Sequence, residues 1–192
     1  MNKQERGHTL VELLIVLAVG GVILTTVWHA VDYARRTVAL VSATSELRAL
    51  FQNTRAIAIA HRRNVAIRFR QDGDQWTWRV YEDRDNDGVH NDDISRGVDV
   101  PLSPARTFQY VPARIGVPAE TIIDPTNHEP LASRLPVRFG TSQLCAFSRE
   151  GESTNGSIVL TDGHNVRIIE IEGHSALIHV LRWDGAHWIT TS

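Results

Sequence analysis

The chain holds few of the residues and patterns that usually announce a function. A single cysteine, Cys145, stands in 192 residues, which excludes an intramolecular disulfide. Its neighbours Leu144, Ala146 and Phe147 mark it as a buried strand thiol rather than a reactive one. An excess of charge of either sign is also missing. The formal net charge is −2, so there is no global attraction for nucleic acid and only a local basic patch could serve. No G-x-S-x-G turn, P-loop or Cys/His dyad occurs, and the histidines show no compact two-His-plus-acid spacing. His174 and His179 stand five apart, while His128, His164 and His187 fall on separate turns. Catalysis finds no support here. Hydrophobic residues make up 42% and charged residues 22% of the chain, an ordinary globular balance that excludes both a disordered chain and a polytopic membrane protein.

What is present is concentrated at the N-terminus. Residues 10–27 read LVELLIVLAVGGVILTTV, eighteen residues with Glu12 as the one charge. As a helix they would span roughly 27 Å, close to the hydrocarbon thickness of a bilayer, so a transmembrane helix is expected. Lys3 and Arg6 before the run place the N-terminus in the cytoplasm, and Trp28 and Tyr33 after it suit the opposite interface. A secretory signal would be cleaved after such a run at a small-x-small site, whereas Thr26-Val27-Trp28-His29-Ala30 offers bulky residues. Glu12 is the second clue. A carboxylate in a membrane helix costs about 2.5–3.5 kcal/mol and is usually offset by a partner. If the chain is cut between Gly7 and His8, the new amine at His8 lies four residues, one helical turn, from Glu12. That pair could form within a subunit or between staggered subunits.

The stretch Gly7-His8-Thr9-Leu10-Val11-Glu12-Leu13-Leu14 resembles the type IV prepilin (class III) signal. The resemblance implies cleavage by a prepilin peptidase between Gly7 and His8, N-methylation of His8, and a role in filament assembly for Glu12. His8 stands where that family usually has phenylalanine, a departure that bears on processing.

No proline or glycine occurs between Gly21 and Gly73, so the helix is expected to continue to about Arg63. Leu40, Ala43, Leu47, Leu50, Phe51, Thr54 and Ala58 recur at three- and four-residue steps as a core-facing stripe, with Arg35, Arg36, Glu46, Arg48, Arg55 and Arg62 largely off it. From Asn64 the period becomes two. Asn64–Phe69 and Gln75–Tyr81 read as a hairpin turning at residues 71–74. A proline-rich middle follows, with short strands expected at Thr107–Val111, Thr121–Ile123 and Val137–Phe139. Gln143–Phe147, Ser157–Thr161, Val166–Ile171 and Ala176–Leu181 close the chain as strands between glycine-containing turns. One long helix followed by many short strands indicates an α+β fold.

The hairpin, the acidic stretch after Tyr81, and Phe147-Ser148-Arg149-Glu150-Gly151 leading into Gly156-Ser157-Ile158-Val159-Leu160 resemble the GspH/FimT group of minor pseudopilins and pilins. The resemblance implies a minor pseudopilin of a type II secretion system (its protein H), not an enzyme, with a β-sandwich head packed on the helix. Its implied partners are the prepilin peptidase, other major and minor pseudopilins, an inner-membrane assembly platform and secreted substrates. The expected organisation is a leader at 1–7, a transmembrane assembly helix at 8–30, its amphipathic continuation at 31–63, and a periplasmic head at 64–192. The alternative is a FimT-type minor pilin of type IV pili that binds DNA for uptake.

Two local patterns could carry binding. Asp83, Asp85 and Asp87 alternate before Gly88 as in the first half of a calcium loop, with Asn91 and Asp93 available where the terminal glutamate is missing. Calcium is the one cofactor this pattern would take, and a solvated acidic turn is the competing reading. Arg62, Arg63 and Arg68, with Arg55 and Arg70 nearby, could form a phosphate-binding patch for the DNA alternative, or simply a solvated face. His174-Ser175-Ala176 after Gly173 lacks the basic tail expected of DNA-uptake relatives, so DNA is disfavoured as a partner. Trp76, Trp78, Trp183 and Trp188 are expected to serve the core.

Overall fold

The computed structural model describes residues 5–191, without the side chains of residues 5–9, 23–26 and 29. The chain divides into two compact units, Met1–Thr37 and Val38–Ser192. Helix α1, Glu5–His61, contributes residues to both.

In the first unit the described apolar side chains stand exposed, with Leu10, Leu13, Leu14, Ile15, Val16 and Leu17 each more than half accessible. Asp32 accepts from Arg36 Nε at 2.7 Å across one helical turn, and Thr37 Oγ1 donates to the Tyr33 carbonyl. Among the described residues no helix is long and apolar enough to cross a membrane. The side chains of residues 23–26, inside the run expected to do so, lie outside the description.

In the second unit α1 follows the period-3.6 rule. Leu40, Ala43, Leu47, Phe51, Thr54 and Ala58 are all buried, and Val38 and Ile59 off that stripe are exposed. Thr44 and Thr54 sit in the buried face because their hydroxyls donate to the carbonyls of Leu40 and Leu50. The helix ends at His61 through a Schellman arrangement, with Arg63 N bonding to Ala58 O and Arg62 N to Ile59 O. Arg62 takes the left-handed position, φ +54, that glycine commonly fills.

Among the described residues eleven strands follow. The first sheet holds β1 (Val65–Asp72), β2 (Gln75–Glu82), β3 (Val100–Pro101), β4 (Arg106–Thr107) and β7 (Leu144–Phe147). Its order is β3-β2-β1-β7, with β4 also on β2. The second sheet holds β5 (Arg114–Ile115), β6 (Val137–Arg138), β8 (Gly156–Thr161), β9 (Val166–Ile171), β10 (Ile178–Trp183) and β11 (Trp188–Thr191). Here the order is β11-β10-β9-β8-β5, with β6 also on β8. All the pairings are antiparallel, and the fold is α+β.

The main core joins three layers: Leu47 and Phe51 of α1, Ile67, Phe69 and Trp78 of the first sheet, and Ile158, Leu160 and Ile169 of the second. Phe51, Phe69 and Phe139 meet pairwise at ring-centroid distances of 6.0–6.3 Å, within the range of favourable aromatic contact. Alternation sends Ala66 and Tyr81 to the opposite face of the first sheet, where they pack with Val89 and Leu144. A short helix, α2 (Asn91–Arg96), packs Ile94 against that second cluster. Gly156 opens β8 because a Cβ there would stand 2.4 Å from both the Arg138 carbonyl and the Phe139 ring.

The strand readings differ from the structure where proline intervenes. Thr107–Val111 shrinks to Arg106–Thr107, and Thr121–Ile123 keeps one bridge, Ile123 to Pro130. Proline lacks the amide donor that a ladder needs, and Pro112, Pro118, Pro125, Pro130 and Pro136 crowd this segment. β10 starts at Ile178 rather than Ala176, since Ala176 adopts φ +51 in the preceding turn. The hairpin turn narrows from four residues to Gly73-Asp74, because Gln71 and Asp72 still pair with Trp76 and Gln75.

Candidate functional site

Two regions carry the residues singled out above. Gly7 and His8 lie within the backbone span of α1, and the side chain of His8 lies outside the description. Glu12 is exposed on α1 among exposed Val11, Leu13 and Leu14. Apolar neighbours in this density around one charge make a surface that water solvates poorly.

The acidic loop lies in the second unit, between β2 and α2. Asp83 is fully buried and anchors the loop. Its Oδ1 accepts from Asn86 N at 2.7 Å, and its Oδ2 accepts from Asn64 Nδ2 at 2.8 Å and Gly88 N at 2.9 Å. Burial would raise the Asp83 pKa, but these donors outweigh it and hold the carboxyl below its ordinary value. Asp85 and Asp87 are exposed, and one ligand oxygen from each converges with Asp83 to within 4.8 Å. Asp85 is raised, by desolvation first and then by Asp87 beside it.

The other two residues assigned to this loop do different things. Asp93, buried on α2, pairs with Arg96 Nη2 at 2.5 Å and stands outside the three-way convergence. Asn91 Nδ2 donates to the Ser142 carbonyl at 3.0 Å, leaving its Oδ1 without a hydrogen-bond partner. Sequence reasoning missed Asp99, which is 1% exposed. Its Oδ2 accepts from His90 N at 3.0 Å, and its Oδ1 has no partner in hydrogen-bonding geometry. Burial raises its pKa, with the amides of His90 and Arg84 acting against that and Asp83 and Asp93 adding to it. The signal was an aspartate between Val98 and Val100, a carboxylate inside an apolar frame.

Two of the arginines are tied to backbone carbonyls. Arg63 Nη1 donates to the carbonyls of Asp83 and Arg84 at 3.0 and 3.1 Å, and Arg55 Nε donates to the Gly151 carbonyl at 2.9 Å. Arg62 is exposed at the helix cap, and Arg68 is half-buried opposite Arg79 on β2. A groove of about 510 Å³ elsewhere on the unit is lined by Asp124, Arg138, Glu170 and His179, where buried Asp124 pairs with half-buried Arg138.

Two family models match the chain. The prokaryotic N-terminal methylation motif matches residues 2–28, covering Gly7, His8 and Glu12. The type II transport protein GspH model matches residues 43–176, over two thirds of the chain and most of the second unit. No curated relative and no solved structure matches it.

Proposed function

The chain belongs to the type II transport protein GspH family and is a GspH-like pseudopilin, and we propose that it acts as a minor subunit near the tip of a periplasmic pseudopilus. In this reading a prepilin peptidase cuts between Gly7 and His8 and methylates His8. The 10–27 helix anchors the chain in the inner membrane, single-pass, until an assembly platform draws it into the filament, and the head stands in the periplasm. The head then contacts neighbouring pseudopilins and exported proteins. The role is structural, through assembly, and requires no reacting group.

One observation carries this reading: Glu12, the one charge of residues 10–27, stands among exposed apolar side chains inside the span that matches the methylation motif. A buried carboxylate needs a counter-charge, and the amine released at His8 supplies one at the right spacing. Paired across subunits, the two charges would set the axial register of the helices. The DNA-uptake alternative is weaker, because Arg63 is committed to backbone carbonyls and Arg68 is half-buried. Glu12→Ala tests the reading. The variant is expected to insert in the membrane at normal levels and to be lost from cross-linked pseudopilus complexes. Normal incorporation would defeat the charge-pairing mechanism.

A further inference from the structure

The Asp83–Asp87 loop carries chemistry that filament assembly does not use. Its aspartates alternate before Gly88, whose φ of +105 turns the chain sharply, and one oxygen from each lies within 4.8 Å of the others. Calcium–oxygen bonds run at about 2.3–2.6 Å, so two ligands of one ion stand at most about 5 Å apart. The three carboxylates already fit around a single ion. Asp83 accepts three hydrogen bonds and retains acceptor capacity.

A second, independent observation comes from outside the loop. Asp99 is buried and its Oδ1 makes no hydrogen bond; besides the backbone amides of His90 and Arg84, the groups acting on it are the carboxylates of Asp83 and Asp93. A desolvated carboxylate oxygen without a donor is costly unless a cation satisfies it. Among the described residues, five carboxylates gather here (Asp83, Asp85, Asp87, Asp93 and Asp99), and one of them, Asp93, has an ion pair. The converging donors are all oxygen, which selects a hard cation, and a cage of protein carboxylates suits calcium better than the reluctantly dehydrated magnesium ion.

We propose that Asp83, Asp85 and Asp87 bind a calcium ion, with Asp99 contributing its free oxygen through a coordinated water. The ion ties the end of β2 to the entry of β3, which begins one residue after Asp99, and clamps α2 between them. This site is independent of the filament reading, and its test needs no assembly.

The test uses the full-length chain in detergent micelles, stripped with a chelator and titrated with calcium chloride by calorimetry, with thermal unfolding alongside. One ion per chain is expected, with Kd below roughly 1 mM and a Tm rise of several degrees that equal magnesium does not reproduce. Asp85→Asn with Asp87→Asn removes two exposed ligands, so it should weaken calcium binding about tenfold or more while the calcium-free Tm holds or rises. Absence of both heat and Tm shift at about 5 mM calcium would overturn the site. Undiminished binding by the double variant would overturn it as well. Asp99→Asn should shrink the calcium-dependent Tm shift, and should it fail to fold, the exposed pair still decides.

Discussion

Up to Thr37 the described apolar side chains of α1 stand exposed at consecutive positions, whereas from Val38 the same helix buries one stripe and exposes the rest. The contrast lies in the pattern of apolar residues rather than in their number. Consecutive Leu13, Leu14, Ile15, Val16 and Leu17 cannot all face one core, so whatever removes them from water must surround the helix: lipid, or other helices. The spaced Leu40, Ala43, Leu47 and Phe51 need only the two sheets beside them, and those sheets belong to the same chain. The later stretch is covered by its own fold, while the earlier one leaves its described apolar side chains uncovered.

The sharpest way to break that comparison is to truncate one residue on each side of it. Phe51→Ala empties a site bounded by Phe69 and Phe139 and should cost about 3–5 kcal/mol of head stability. Leu14→Ala should leave head unfolding within about 0.5 kcal/mol of the parent, while its effect appears in filament incorporation. Denaturant unfolding of both full-length variants in micelles checks the pair. Equal destabilisation would mean that the two stretches obey one rule.

A smaller effect follows from pH, and it should be confined to the second unit. Asp162, buried in the turn between β8 and β9, accepts from Asn165 N, Asn165 Nδ2 and His164 N at 2.7–2.9 Å. Burial would raise its pKa, but these donors win and hold it below the ordinary carboxylate value. A depressed folded-state pKa contributes stability above the unfolded value, about 3.9, and loses it as pH falls through the folded one. The Tm should therefore drop steeply below about pH 4, and Asp162→Asn should lessen that drop. An unchanged acid limb in the variant would show that the turn contributes nothing.

The smallest effect sits where α1 ends. Arg62 holds φ +54 with a side chain, a conformation that costs an ordinary residue about 1–2 kcal/mol. Arg62→Gly should raise head stability by roughly 0.5–1 kcal/mol, part of the relief being lost to the freer unfolded chain. Destabilisation instead would mean that the Arg62 side chain contributes more than its backbone strain removes.

How much of this was legible depended on sequence distance. The stripe on α1 and the Val166–Ile171 strand could be read directly, because period 3.6 and period 2 are local patterns. Strand β11 and helix α2 were not legible. β11 is four residues at the chain's end, and α2 is six acidic-leaning residues whose N-cap makes no side-chain hydrogen bond. Asp83, Asp85 and Asp87 announced themselves by spacing, whereas Asp99 did not. Its involvement depends on His90 and on charges at Asp83 and Asp93, which only the folded chain brings near. Arg63 belongs to a basic cluster in sequence, and in the fold it clasps two carbonyls of the acidic loop, a partnership that no local pattern announces.

The central claim is that the first stretch of α1 exists for assembly after processing, and the intact mass of the mature chain purified from membranes tests it most directly. The account predicts a chain beginning at His8 and carrying one methyl group on its amine. A mature chain that still starts at Met1, or one cut beyond Val27, would contradict it.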